Sequence, residues 1–244
     1  MSPVAGRQSY ESMSVYFRLE RALLCAFAYG TIIQIFRMTP YVNDMNDHIS
    51  AVELNKAYRL LNHGPTVLVS AEHGGVANVM AAAWACALDF APPKVTVVLD
   101  KATATRALVE KSGFFVLQVP NAAQLELTQA VGSSSLSEAP DKLSRCGVEL
   151  FRAEACEQPL VAGCSAWLAC RLIPEMHNQN TYDLFIGEVV GAWADTRVFL
   201  DGHWRFEDAG PEWRSLHYIA GGNYYAIGEA LQAHVNEEDA KPAV

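Results

Sequence analysis

Between Pro65 and Pro120 the chain alternates short apolar runs with turn signals. The run Thr66–Ala71 is β-branched and apolar, which favours a strand, and Gly74-Gly75 supplies a turn that accepts positive φ. The longer run Val76–Leu88 has no clear period, but its position between that turn and Pro92-Pro93 predicts one or two strands. The segment therefore indicates strands joined by tight turns.

The rest of the chain contains more predicted strands than helices. Strands are predicted at Lys94–Asp100, Gly113–Val119, Cys164–Leu172, Leu184–Trp193 and Thr196–Phe199. Helices are predicted after the capping box Ser50-Ala-Val-Glu53, at Thr103–Ser112, at Asn121–Val131 with an Asn cap, at Asp141–Cys146 and near Tyr225–Ala233. Turn signals at Asp201-Gly202 and Gly221-Gly222 make most connections hairpin-like. The pattern predicts a mainly β fold built on an antiparallel sheet with flanking helices.

Composition and length fit one globular domain. The chain has 244 residues, of which 51% are hydrophobic and 18% charged, enough to bury a sizeable core. We place the domain at residues 45–235, with an N-terminal extension at 1–44 and a C-terminal tail at 236–244. Gly132–Ala139, with four serines, is interpreted as a mobile surface loop. The net charge of −9 and the scattered basic residues argue against nucleic acid as a partner.

The N-terminal segment differs in character from the rest. Its apolar run Leu23–Phe36 has 14 residues, fewer than the roughly 20 that cross a bilayer as a helix. Our hypothesis is that Met38 or Met45 is the natural start and that the preceding residues are upstream translation or a poorly ordered extension. The alternative is a membrane anchor or an uncleaved signal. We expect a protein without a membrane partner.

The six cysteines show no CxxC and no zinc-site spacing, so no metal site is predicted. Cys86, Cys164 and Cys170 lie in apolar runs, where a free thiol usually acts as a small buried hydrophobe. This usage favours a reducing compartment, and we expect a cytoplasmic protein.

A candidate phosphate site lies where a predicted strand passes into a predicted helix. Residues 100–106, DKATATR, combine two hydroxyls and two cations at a helix start, where the macrodipole favours an anion. The alternative interpretation is an ordinary capped helix with exposed basic residues. A polar cluster of this kind beside an antiparallel sheet fits a ligand with a flat polar ring and a phosphate.

A second candidate cluster lies on the apolar run before it. Asn78 is a single amide in that run, and a buried amide costs free energy unless it is paired. Small residues at Ala81, Ala83 and Ala85 would let the main chain approach a planar ring. Trp84 would either shield such a ring or pack in the core.

The order of elements in Pro65–Pro120 resembles the flavin reductase-like family, whose FMN-binding split barrel is named for its ligand. Residues 177–189, HNQNTYDLFIGEV, are similar to that family's strand GDHxxxxGEV. Residues 216–228, LHYIAGGNYYAIG, are similar to the aromatic Gly-Gly segment of its flavoredoxin-like branch. The resemblance extends over roughly residues 50–232.

The resemblance implies a fold and a set of contacts. The fold is an antiparallel six-stranded Greek-key barrel of the FMN-binding split-barrel class. FMN would lie along Asn78, Val79, Met80, Ala81, Ala83, Trp84 and Ala85, with its phosphate at Asp100, Lys101, Thr103, Thr105 and Arg106. Tyr182 stands where the family often has a histidine beside the nicotinamide, and His177 is the alternative residue for that space.

The resemblance also implies an activity. NADH or NADPH would give a hydride to bound FMN, and electrons would pass to free flavin or to a partner such as a flavin-dependent monooxygenase. No catalytic acid or base is predicted, because the cofactors carry that chemistry. A homodimer with FMN at its interface is implied as well.

Two alternatives stay open at this point. One is a flavoredoxin-like FMN protein that receives electrons from a protein partner rather than from NAD(P)H. The other is a non-enzymatic split-barrel protein that binds another planar ligand, such as haem. No ribose-reading motif is visible, so the sequence does not separate NADH from NADPH.

Overall fold

The computed structural model describes residues 47–153 and 156–233, in which strands outnumber helices. The strands are β1 (Ile49–Ala51), β2 (Val67–His73), β3 (Val76–Ala82), β4 (Ala85–Phe90), β5 (Pro93–Val98), β6 (Phe114–Val119), β7 (Leu150–Phe151), β8 (Leu160–Val161), β9 (Ala166–Ile173), β10 (Leu184–Asp195), β11 (Phe199–Leu200), β12 (His203–Trp204), β13 (Leu216–Ala220) and β14 (Asn223–Ala226). The α-helices are α1 (Ala104–Ser112), α2 (Leu125–Ser133), α3 (Lys142–Arg145), α4 (Met176–Tyr182) and α5 (Phe206–Ala209). Short 3₁₀ helices cover Leu54–Leu60, Ala122–Gln124 and Pro211–Trp213.

One large antiparallel sheet organises the fold. Its order is β3-β2-β6-β9-β10-β5-β4, and β1 also pairs with β10. Strands β3 and β4 are consecutive in the chain, yet they stand at opposite ends of this order. The expected mainly β fold with flanking helices is confirmed, with eight strands in the sheet rather than six.

Both faces of the sheet are covered. Along β2, Val67 and Val69 belong to one buried cluster, whereas Leu68 belongs to a second cluster on the other face. Strand β6 divides in the same way, with Leu117 in the first cluster and Val116 in the second. Because both faces are buried, these strands are mostly apolar instead of alternating strictly with polar residues, although β2 buries Ser70 and β6 buries Gln118.

The predicted capping box at Ser50–Glu53 is wrong. Ser50 lies within β1 and pairs with Ala194 of β10, so it is not free to cap a helix. The following residues form a 3₁₀ helix with no side-chain cap hydrogen bond. The long-range strand pairing therefore overrides the local pattern.

Three other expectations also need correction. Asn121 stands before the 3₁₀ helix Ala122–Gln124 but makes no side-chain cap hydrogen bond, and its Nδ2 donates to the carbonyl oxygen of Gly163. Residues 196–198 form a turn, and only Phe199 of the strand expected there is in β11. The helix expected at Tyr225–Ala233 is absent from the described chain, because Tyr225 pairs with His217 in the β13–β14 hairpin.

The N-terminal hypotheses and the C-terminal tail lie outside the described residues. Within residues 47–153 and 156–233, no helix is both long enough and apolar enough to cross a bilayer. The five cysteines in the same ranges are free thiols. The cytoplasmic location stays a prediction.

Candidate functional site

A cavity of about 240 Å³, which we call cavity A, lies between the sheet and the segments from α1 to α3. It is lined by Asn78, Met80 and Ala81 of β3, by residues 102–105, by residues 131–136 with Glu138, and by Lys142. Cavity A therefore brings together part of each candidate cluster, namely Asn78, Met80 and Ala81 of β3 and Thr103 and Thr105 at the start of α1.

The start of α1 leaves main-chain donors beside this cavity. Thr103 is the N-cap residue, but its hydroxyl donates backward to the carbonyl oxygen of Asp100, at 2.7 Å, and makes no cap hydrogen bond. The Asp100 carboxylate accepts the amide N–H of Ala102, also at 2.7 Å. These bonds shape the turn before α1 and leave its first amides without a side-chain acceptor, an arrangement that suits an anion.

Asn78 is buried on β3 and only half satisfied. Its Nδ2 donates to Oγ1 of Thr105 at 2.9 Å, which ties the strand to α1. Its Oδ1 is buried and has no donor partner among the described residues. A buried acceptor without a donor costs free energy, so a ligand hydroxyl or N–H at this atom would be favourable.

The cation that faces cavity A is Lys142, which begins α3. Its side chain is buried, with 2% exposed. In the part of the chain that the structure describes, its ammonium makes no hydrogen bond and no ion pair. Burial lowers the pKa of this lysine, since water no longer stabilises the charged form.

The two cations expected at the phosphate lie elsewhere. Arg106 does not line cavity A, because its guanidinium donates to Asp183 at 2.5 Å, to Glu110 at 2.8 Å and to the carbonyl oxygen of Gln179 at 2.9 Å. Lys101 is mostly exposed, and it also pairs with Asp183, with 3.6 Å between its Nζ and the carboxylate. We therefore assign Arg106 to holding α4, and not to a phosphate.

Four of the other expected contact residues lie outside both cavities, namely Val79, Trp84, Ala85 and Tyr182. Val79 is buried in the cluster that includes Val131. Trp84 is 76% exposed, so it is not a core tryptophan of this chain, whereas Ala85 next to it is buried. Tyr182 is 61% exposed at the end of α4, and its ring lies edge-on to His177 at 5.6 Å. None of these residues lines cavity A.

A second space, cavity B, measures about 220 Å³ and adjoins cavity A. Both cavities share Ala81, Gly132 and Ser133 as lining residues. Cavity B continues past Ala82 and Ala83 to Thr66, Gln129, Tyr218 and Tyr224. The three alanines at residues 81–83 have small side chains, which would let a flat group approach the main chain there.

The β13–β14 hairpin closes cavity B through one short chain of hydrogen bonds. The hydroxyl of Tyr224 donates to Oε1 of Gln129 at 3.0 Å. The Nε2 of Gln129 in turn donates to Oγ of Ser133 at 2.8 Å. This connection ties the aromatic Gly-Gly segment to α2, so both stand beside the small residues of β3.

Two parts of the lining of cavity A, residues 132–136 and Lys142, are not predicted from the sequence. Gly132–Ala139 was interpreted as a mobile surface loop, yet residues 132–136 line cavity A. The sequence does not mark Lys142, because a lysine in the polar stretch DKLSR looks like an ordinary solvated residue. A cluster of serines beside small residues was the available signal for the loop.

Known proteins similar to this chain point in one direction. A family model, the flavin reductase like domain, matches residues 59–208. The uncharacterized protein YddH of Escherichia coli (strain K12) is 42% identical over 185 residues, which cover 75% of this chain and 96% of the relative.

Two solved structures extend the comparison. The FMN-binding domain of a flavin reductases-like enzyme from Shewanella baltica OS155 is 65% identical, with a TM-score of 0.77 over 78% of this chain and 100% of that one. Flavoredoxin of Desulfovibrio vulgaris (Miyazaki F) is 25% identical, with a TM-score of 0.61 over 72% of this chain and 93% of that one.

Proposed function

Because this chain belongs to the flavin reductase-like domain family, we propose that it binds FMN across cavities A and B and acts as an FMN-dependent NAD(P)H:flavin oxidoreductase. The relative from Shewanella baltica, at 65% identity, is described as an FMN-binding domain, which supports the choice of cofactor. The physiological acceptor would be free flavin or a partner protein, such as a flavin-dependent monooxygenase.

The observation that carries the proposal is that the two cavities are neighbours and share Ala81, Gly132 and Ser133 in their linings. In cavity A, the first amides of α1 have no side-chain cap and can bind an anion. The unpaired Oδ1 of Asn78 can accept a hydrogen bond from the ligand. Cavity B offers a flat ring the open main chain at Ala82 and Ala83. A flavin mononucleotide has a phosphate at one end and a flat ring at the other, so its chemistry fits both parts.

When bound, FMN would supply the redox chemistry by accepting a hydride from NADH or NADPH and passing electrons on. The chain's own residues bind FMN and orient it. Asn78 and the start of α1 hold the polar end, and the small residues of β3 allow close approach of the main chain. No side chain is proposed as an acid or a base.

The absorbance spectrum of the purified protein tests the cofactor, and anaerobic mixing with NADH and NADPH tests the reaction. We expect flavin bands that bleach rapidly with at least one nicotinamide. Flavin bands that do not bleach would favour the flavoredoxin-like electron-transfer alternative. A Soret band would favour haem, and a protein that neither carries nor takes up FMN would overturn the proposal.

We also propose a homodimer with FMN at its interface. Strand β4 is an edge of the sheet, and Leu88 and Phe90 on it are more than half exposed. Trp84, at the turn before β4, is also exposed. Exposed apolar side chains grouped in this way usually mark an interface. Sedimentation at micromolar concentration should therefore give a dimer, and a stable FMN-loaded monomer would contradict this assignment.

A further inference from the structure

Lys142 is a buried cation without an anion. Its side chain is 2% exposed and borders cavity A. By contrast, Lys56, Lys94 and Lys101 each form an ion pair with a carboxylate. No carboxylate of the described residues lies within ion-pair distance of the Lys142 ammonium. Burying an unpaired ammonium costs free energy, and a bound anion would offset that cost.

The surroundings of Lys142 favour a phosphate as that anion. The uncapped start of α1, at residues 103–105, borders the same cavity and directs main-chain donors and the positive end of the helix dipole toward it. Ser134 and Ser135 add hydroxyls from the loop after α2. Glu138 is the acidic residue of the lining, and it is exposed. The site thus combines three kinds of donor suited to a terminal phosphate.

Resting on the proposed function, we propose that Lys142 is the residue that selects the phosphorylated flavin. Its ammonium binds the phosphate monoester of FMN, and this contact makes the chain discriminate FMN from riboflavin. Riboflavin has the same ring and the same ribityl chain but no phosphate, so it would leave Lys142 unpaired. The contact takes the place that the sequence had suggested for Arg106.

Titration of the apoprotein with FMN and with riboflavin tests the proposal through the variant Lys142→Met. A charge-assisted hydrogen bond to a phosphate corresponds to a loss of roughly tenfold to a hundredfold in FMN affinity. Riboflavin affinity should stay within about threefold, because riboflavin makes no phosphate contact. The matched control is Lys111→Met, which removes an exposed lysine from the end of α1 with the same change in net charge.

The thermal midpoint of the apoprotein supplies a second measurement. Methionine removes a buried unpaired charge and keeps most of the apolar stem, so Lys142→Met should leave the midpoint unchanged or raise it. A lysine that served only the packing of α3 would show the opposite result, a lower midpoint with the preference for FMN retained. Lys142→Gln, which keeps a polar group but no charge, repeats the test if methionine prevents folding.

The outcomes separate this inference from the proposed function. Wild-type protein that binds neither flavin would overturn the proposed function itself. Wild-type protein that binds both flavins equally would overturn the role of Lys142 alone. Equal losses for FMN and riboflavin in Lys142→Met, or a preference for FMN that survives the substitution, would also overturn it.

Discussion

Replacing Arg106 with methionine should lower the free energy of unfolding of the ligand-free protein by about 3 kcal/mol, because this removes a buried cation whose guanidinium donates four hydrogen bonds. The Arg106 side chain is 7% exposed. Its guanidinium pairs with Glu110 within α1 and joins this helix to Asp183 and to the carbonyl oxygens of Leu99 and Gln179. Without it, two buried carbonyls lose a donor, and the Asp183 carboxyl loses the hydrogen bond that lowers its pKa.

The matched control is Arg145→Met. Arg145 is 68% exposed, and its ion pair with Asp141 spans 3.9 Å. Its loss should change the free energy of unfolding by less than about 0.5 kcal/mol. Urea unfolding of the two apoproteins measures both effects. Loss of FMN affinity in Arg106→Met without loss of stability would contradict our assignment. It would indicate that the Arg106 guanidinium binds the phosphate of FMN.

The position of Arg106 shows where reasoning from sequence reaches its limit. The segment 100–106 correctly predicted a strand-to-helix junction beside the candidate site, and Thr103 and Thr105 do line cavity A. Neighbouring residues on a helix, however, point about 100° apart. Thr105 faces β3, whereas Arg106 faces α4. Composition at a helix start indicates an anion site, but which cation faces it depends on the direction of the helix, which only the fold provides.

Local sequence patterns predicted the strands correctly, but they did not predict features that depend on pairing with strands distant in the sequence. The runs between Pro65 and Pro120 were assigned as strands because their lengths and bounding turns are features of the sequence itself. The capping box at Ser50 failed, since β10, more than a hundred residues later, pairs with that segment. Lys142 was missed for the same reason. It lines cavity A together with residues of β3 and α1, which are distant in the sequence, so nothing in its own neighbourhood of the sequence marks it.

The half-buried His63 carries buried ring nitrogens that the sequence did not mark. Its imidazole packs edge-on against the rings of Trp204 at 5.0 Å, Phe206 at 5.7 Å and His217 at 5.9 Å. Both ring nitrogens are buried, and neither has a hydrogen-bond partner among the described residues. Burial, and to a lesser extent the neighbouring His217, lowers the pKa of His63 to about 4.

This low pKa predicts that the folded state loses stability in mild acid. The ordinary pKa of histidine is 6.5, so as the pH falls the unfolded chain binds a proton at position 63 before the folded protein does. The contribution of His63 to stability is therefore complete above pH 6.5 and is lost between pH 6.5 and 4. Its full size is roughly 3 kcal/mol. Burial also lowers the pKa of His217, which adds to the same trend.

Replacing His63 with phenylalanine should flatten this pH dependence, because phenylalanine fills the same aromatic cage without a titratable nitrogen. At pH 7 the variant should be at least as stable as the wild type, since two buried unpaired nitrogens are removed. Some slope should persist, because His217 stays in place. Chemical unfolding from pH 7.5 to 4 measures the slope, and His73→Phe, at the exposed end of β2, controls for the loss of an imidazole. If His63→Phe kept the wild-type slope, the loss of stability in acid would not come from the His63 ring. A smaller slope in His73→Phe would contradict the prediction as well.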